Sequence, residues 1–216
     1  KKENIMSPKT KDLLKRIIIS IIGTFMIAVT IGIMRILALG VDPFTSFILG
    51  LCNIFNTPFR IIYPIINGLI LIFIFFLNRS MIGWGTLINL ILIGPVADYS
   101  ANVFANIYTN PTFASKVVIL ILATVVMAMN VSLYASTDIG VSAYDSLFIT
   151  INKRKPNMSL GKARILTDTI SVIVGFIGKA ALGIGTILNV LIMGPLVEFF
   201  TKTTTKSILK AFGVKA

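Results

Sequence analysis

Gly83-Trp84-Gly85-Thr86-Leu87-Ile88-Asn89-Leu90-Ile91-Leu92-Ile93-Gly94-Pro95-Val96-Ala97-Asp98 is written again, 100 residues later, as Gly183-Ile184-Gly185-Thr186-Ile187-Leu188-Asn189-Val190-Leu191-Ile192-Met193-Gly194-Pro195-Leu196-Val197-Glu198. Both glycines, the Thr, the Asn and the Gly-Pro pair recur in register, and an acid follows each at the same distance. A second pair keeps this offset: Gly40-Val41 with Gly140-Val141, Phe44 with Tyr144, and Ser46 with Ser146. The chain therefore reads as two tandem repeats of about 100 residues, and a repeat at fixed spacing decides architecture before any local propensity does.

The repeats lie in an apolar chain. Of 216 residues, 56% are hydrophobic, and mean hydropathy is +0.92. Largely apolar runs such as Ile17–Leu39, Ile61–Leu77 and Val117–Leu133 approach or reach the length that crosses a bilayer core. They do not alternate in polarity, which excludes a β-barrel. The expected fold is an all-α membrane protein with no separate soluble domain: repeat one over 14–103, repeat two over 116–201, and basic tails over 1–13 and 202–216.

Each repeat holds four apolar segments, roughly 14–38, 43–55, 60–78 and 81–103, then 116–137, 142–151, 160–181 and 184–201. The polar stretch Ser100–Ser115, with Asn102, Asn106, Asn110 and Pro111 as breakers, separates them. The second segment is too short in each. Phe44–Phe55 has 12 residues and as a helix rises about 18 Å against a hydrocarbon core of about 30 Å. If it enters and leaves on one side, each repeat has three transmembrane helices plus one short re-entrant helix, and the halves are inverted. If it crosses, each has four and the halves are parallel. Length, and the absence of Lys and Arg between Asp98 and Ser115, favour the inverted arrangement.

Net charge is +12, carried by the N-terminal tail (Lys1, Lys2, Lys9, Lys11, Lys15, Arg16), by Lys153-Arg154-Lys155 with Lys162 and Arg164, and by Lys202, Lys206, Lys210 and Lys215. Short basic flanks of apolar spans mark the cytoplasmic side, so both termini are expected there, in a multi-pass membrane protein. The same charge without a folded module to display it argues against nucleic acid. The basic start is not a secretory signal, because the span after it is longer than a signal's apolar region. There is no His and one Cys, Cys52. That excludes a disulfide framework and any His/Cys metal site, and no cofactor is expected. No nucleophile stands with a base, so catalysis is not expected either.

The Gly-Pro pairs sit inside apolar segments. Proline removes a helix hydrogen bond and clashes four residues back, which would free the carbonyls of Ile91 and Leu191. Both segments are expected to kink or unwind at Gly94-Pro95 and Gly194-Pro195. Interrupted segments at matching places in two halves are the sequence pointer to a transporter's substrate site. Thr86 and Asn89, like Thr186 and Asn189, share one helix face and would supply polar contacts. The competing reading is packing: small residues let helices approach, and Asn makes one interhelical bond.

Asp42 before Pro43, and Ser142 in the second copy, read as N-caps of the short helices. If those helices begin within the membrane, Thr45, Ser46, Tyr144, Asp145 and Ser146 line the point where they start. Ionisable groups at that depth are costly and tend to be functional. Asp145 and Asp168 are the candidates for binding a proton or cation, with a local Arg164–Asp168 pair as the plain alternative. Arg35 either snorkels outward or pairs with Asp42.

At Leu39-Gly40-Val41-Asp42-Pro43-Phe44, Ile139-Gly140-Val141-Ser142-Ala143-Tyr144-Asp145 and the two Gly-Thr-x-x-Asn-x-x-x-x-Gly-Pro runs, the chain resembles the YczE/YyaS/YitT group of bacterial integral membrane proteins. The resemblance implies a cytoplasmic-membrane location and a loosely assigned permease or exporter activity. Relatives often carry Gly-Pro-aromatic-Asp at the entry to the short helix. Here Thr45 replaces the acid in the first copy, and the second keeps Tyr144-Asp145 without the proline.

The expected function is a small secondary transporter moving a small organic solute, cationic or amphipathic ones included, by alternating access between the repeats. Its partners are membrane lipids, the solute, and either a second copy or a cytoplasmic protein. The alternative is a non-transporting accessory protein acting on a cytoplasmic partner through the basic segments. Deleting the tails would abolish the second and spare the first.

Overall fold

The computed structural model describes residues 7–155 and 157–214. Lys1, Lys2 and Glu3 of the N-terminal tail and Lys215 lie outside the described residues. Nine α-helices are found among the described residues: α1 (Pro8–Leu37), α2 (Pro43–Phe55), α3 (Phe59–Asn78), α4 (Trp84–Ile107), α5 (Phe113–Ala135), α6 (Ala143–Arg154), α7 (Leu160–Ile177), α8 (Ile184–Phe200) and α9 (Lys206–Ala211). A π-turn over Thr201–Thr205 joins the last two. Five helices, α1, α3, α4, α5 and the α8–α9 run, are long and apolar enough to cross a membrane. Large apolar side chains more than half exposed, such as Ile65, Leu69, Ile72 and Phe76 on α3 and Ile184, Ile187 and Leu191 on α8, turn outward as a lipid-facing surface requires.

Two expected boundaries move. α4 continues to Ile107, so the breaker residues Asn102 and Asn106 are helical and only 108–112 connect the halves. The C-terminal segment is not a loose tail. Leu209 and Val214 are buried in a small cluster with Ile19 and Leu133, and Ser132 on α5 shares hydrogen bonds with Thr205 at 2.7 Å and Thr201 at 2.9 Å.

The capping chemistry is as the sequence reads. Asp42 Oδ1 accepts from Thr45 N at 3.0 Å, and Ser142 Oγ accepts from Asp145 N at 3.0 Å. Each satisfies an N–H that a helix start leaves without a backbone partner.

Helix α1 packs against α4 and α5, α5 against α8, α2 against α7, and α3 against both α4 and α6. Direction follows from the residues that meet. Arg16 near the start of α1 donates to Thr137 O just past the end of α5 at 2.8 Å, so α1 and α5 run antiparallel. Gly185 approaches Leu120, and Ser132 meets Thr201 farther along, so α5 and α8 run parallel. Buried Ile27, Ala28, Ile31 and Met34 on α1 recur at helical spacing and put that face in the main core.

The halves clasp each other reciprocally. Gly85 N donates to Ile139 O at 2.8 Å, and Gly185 N donates to Leu39 O at 2.8 Å. Each bond ties the segment after the first helix of one half to the fourth helix of the other. A Cβ on Gly183 would lie 2.7 Å from Leu39 O, and one on Gly83 would meet the Ile139 carbonyl. The repeated Gly-x-Gly motif thus serves close backbone approach.

Candidate functional site

The first turns of the two short helices meet beside the second halves of α1 and α5. Phe44 at the start of α2 stacks on Tyr144 at the start of α6, with ring centroids 4.5 Å apart. Around them lies a cavity of about 120 Å³, against the roughly 10–15 Å³ that one water needs. Ile27, Ile31, Ile93, Met127, Val131 and Met193 give it an apolar wall.

Its polar groups come from both halves: Asp42, Thr45, Tyr63 and Asn89 from the first, and Tyr134, Ser142, Tyr144, Asp145, Arg164, Asp168 and Asn189 from the second. Three carboxyl groups thus face one guanidinium. Asp168 is 7% exposed and accepts a hydrogen bond from Tyr144 Oη. Arg164 Nε lies 3.7 Å from its other oxygen, and the same guanidinium sits over the Phe148 ring at 5.5 Å. The local pair expected from the i,i+4 spacing therefore forms, yet Asp168 also serves the cavity. Asp42 Oδ2 and Asn189 Oδ1 are buried without a hydrogen-bond partner among the described residues. Both residues line the cavity, so each brings to it a buried acceptor that no protein donor satisfies.

Of the residues named from sequence, Thr45, Asn89, Tyr144, Asp145, Asp168 and Asn189 line the cavity. Ser46 and Ser146 are buried but face elsewhere, and Ser146 Oγ donates to Ala143 O at 2.5 Å. Thr86 and Thr186 do not reach it either. Thr86 Oγ1 donates to Val141 O at 2.7 Å, which makes it part of the clasp. Thr186 Oγ1 stands beside Gly40.

At the Gly-Pro pairs the expected unwinding is absent. α4 and α8 remain helical through Pro95 and Pro195 and do not unwind. Both prolines are on the outward face, with exposed Gly194, while Gly94 is buried against α3. None of the four lines the cavity. Ile91 and Leu191, whose carbonyls proline frees, are each 68% exposed. Arg35 pairs with neither solvent nor Asp42. Its Nη1 donates to Asp98 at 2.7 Å.

Tyr63, Tyr134, Asp42 and Arg164 are cavity residues that the sequence reading assigned other roles or none. Tyr63 lies in an apolar run and reads as core, but its hydroxyl donates to Asn89 Oδ1 at 2.9 Å. Ala163 holds the corresponding place in the second repeat, and this leaves Asn189 Oδ1 without the same donor. Asn89→Leu is therefore expected to cost about 1–3 kcal/mol, by orphaning a buried phenol. Asn189→Leu removes an acceptor that already lacks a partner, and a donor to Gly185 O within its own helix at 2.8 Å; it orphans no side chain and costs less. Thermal unfolding of the two variants in detergent checks the order, and equal losses would contradict it.

A family model described as "Family of unknown function (DUF6198)" matches residues 14–202. The chain is also 25% identical over 162 residues to "Uncharacterized membrane protein YczE" of Bacillus subtilis (strain 168), covering 75% of this chain and 74% of that protein. No solved structure matches.

Proposed function

Since the chain belongs to the DUF6198 family of YczE-like, multi-pass membrane proteins, we propose that it is a small secondary transporter of the bacterial cytoplasmic membrane. It moves a small organic cation by alternating access between two inverted repeats. The observation that carries this reading is the cavity itself, which is acid-bearing, ringed by aromatics and assembled from both halves. Buried carboxyl groups attract a cation, and the faces of Phe44, Tyr63 and Tyr144 add cation–π attraction.

The inverted layout draws support from the antiparallel course of α1 and α5. α1, α3, α4, α5, α7 and α8 are taken as the crossings. α2 and α6 are the re-entrant helices, with 13 and 12 residues each, or about 18–20 Å of rise. α7 has 18 residues and carries Lys162, Arg164 and Asp168, which sets it apart from the five apolar spans. Lys153 and Arg154 at the end of α6 favour a cytoplasmic position for that end and, with six crossings, for both termini.

Arg164 is then a resident counter-ion. A bound cation takes its place beside Asp168, and its return helps to expel the solute. The accessory-protein alternative, acting through the basic tails and the Lys153–Lys155 loop, is the weaker reading, because it gives the acid-bearing cavity no role. No catalysis, cofactor or nucleic-acid role is assigned.

The test is uptake of radiolabelled tetraphenylphosphonium into proteoliposomes under an imposed ion gradient or membrane potential. Protein-dependent uptake is expected, and Asp168→Asn should reduce it by at least ~10-fold, since a buried ionic contact is worth more than ~1.4 kcal/mol. Uptake no faster than in empty liposomes, with no protein-dependent binding, overturns the proposal.

A further inference from the structure

The two halves share a motif but not a conformation. In the first half, α3 and α4 are closed on each other by three contacts. Tyr63 Oη donates to Asn89 Oδ1 at 2.9 Å. A Cβ on Gly94 would lie 3.2 Å from Arg60 Cα. Asp98 Oδ2 accepts from Arg60 N at 3.0 Å, while its Oδ1 accepts from Arg35. In the second half α7 and α8 barely touch. A Cβ on Gly194 would meet nothing within 4 Å.

The sequence accounts for part of the difference: Asn89 and Gly94 recur as Asn189 and Gly194, but the side chains around them do not recur. Tyr63 becomes Ala163, Arg60 becomes Leu160, and Arg35 becomes Ala135. Glu198, in the place of Asp98, turns outward to Lys202 at 2.5 Å with both side chains about two-thirds exposed.

The open seam between α7 and α8 holds a groove of about 210 Å³ lined by Ile165, Thr169, Val172, Ile173 and Val190. Asp168 completes its wall, and Asp168 also lines the central cavity. Ile165 and Ile173, 61% and 53% exposed, form its outer lip. Val190 lies one residue from Asn189, the buried side chain whose Oδ1 lacks a partner in the cavity. The groove is thus an apolar passage from the lipid-facing surface to a carboxyl group. At the matching place in the first half Gly68 replaces Asp168, and no acid stands there.

We infer that the cavity is loaded sideways, from the bilayer, through the α7–α8 seam, and that its substrate is a membrane-partitioning organic cation: one positive charge held at Asp168, on an apolar body that occupies both the cavity and the groove. This rests on the reading of the cavity as a carrier's binding site and adds to it a route and a substrate class. A hydrophilic cation gains nothing from an apolar passage. A lipophilic one concentrates in the membrane, travels a wall that matches its body, and meets Asp168 at the inner end.

The experiment uses the full chain in phosphatidylcholine nanodiscs, with Cys52→Ala to remove the single native thiol. Val172→Cys with Val190→Cys places one thiol on each side of the seam, and a cleavable bis-methanethiosulfonate reagent bridges them. Tetraphenylphosphonium and tetramethylammonium are the probes. Bridging is expected to slow tetraphenylphosphonium association by at least ~10-fold, and reduction of the bridge should restore it in the same sample. Ile165→Trp, at an exposed lip position that tolerates bulk, should slow association without any bridge. Tetramethylammonium should bind at least ~10-fold more weakly, because it lacks the apolar area.

Association unchanged by both the bridge and the tryptophan, with binding intact, overturns the lateral route and leaves the carrier site standing. Equal affinity for the two cations overturns the substrate class. Failure of the Cys52→Ala protein to bind either cation overturns the carrier-site reading itself, and the portal with it.

Discussion

Gly40→Val, and separately Gly140→Val, should yield no monodisperse folded protein in detergent. The backbone at these positions has φ of +99° and +113°, where a β-branched side chain is strained by about 1–3 kcal/mol. Space is missing as well. A Cβ on Gly40 would lie 2.6 Å from Thr186 Oγ1 and 2.7 Å from Gly183 N, and one on Gly140 would lie 2.6 Å from Gly83 N. Apart from the Thr86 and Thr186 hydroxyls these neighbours are backbone and cannot swing away, so the total cost should exceed about 4 kcal/mol, in the range only severe substitutions reach. Gly68→Ala and Gly161→Ala are the controls. A methyl there meets nothing within 4 Å, and both sites are helical, so each change should raise stability by about 0.5–1 kcal/mol. Size-exclusion profiles and thermal melts of the four variants decide the point. A Gly40→Val protein that melts like the parent would mean that the two halves do not cross where described.

The second large effect lies at Arg35 and Asp98. The pair is 2.7 Å long with side chains 19% and 12% exposed. Arg35 also covers the Phe59 ring at 4.6 Å, and Asp98 caps the first turn of α3 through Arg60 N. Removing either partner strands a charge in a poorly solvated place, so Arg35→Leu or Asp98→Leu should each cost about 2–4 kcal/mol. The double variant should be less destabilised than the sum of the two, because no stranded charge remains. An independent reporter stands nearby. Cys52 lines the same hollow as Arg35, Asn56 and Phe59 and is half-buried. Loosening the α3–α4 closure should speed its reaction with a maleimide. Strict additivity of the two single losses, with unchanged labelling, would show that the pair does not hold this closure.

The architecture was readable because membrane helices declare themselves by length and apolarity, and because Asp42 and Ser142 cap helix starts by a purely local mechanism. The roles within the repeated motif were harder. Gly83, Gly85 and Thr86 look the same in sequence whether they line a cavity or admit a neighbouring backbone. Only the reciprocal crossing, which brings Ile139 to Gly85 and Leu39 to Gly185, decides for the second. Pro95 and Pro195 misled for a related reason. Proline weakens a helix, but on an outward face the helix can continue through it, as α4 and α8 do. Tyr63 and Tyr134 sit in apolar runs, where an aromatic normally means core. Most instructive are the positions where the repeats disagree. Tyr63 with Ala163, Gly68 with Asp168 and Arg60 with Leu160 are all visible at the same offset as the matches. They mark which half is shut and which carries the acid.

The reciprocal clasp has a consequence for how the protein is made. Leu39 O is satisfied by Gly185 N, and Gly85 N by Ile139 O, so neither half can complete its own hydrogen bonding. As the chain leaves the ribosome, the amino-terminal half must wait unfinished in the membrane until nearly the last helix is synthesised.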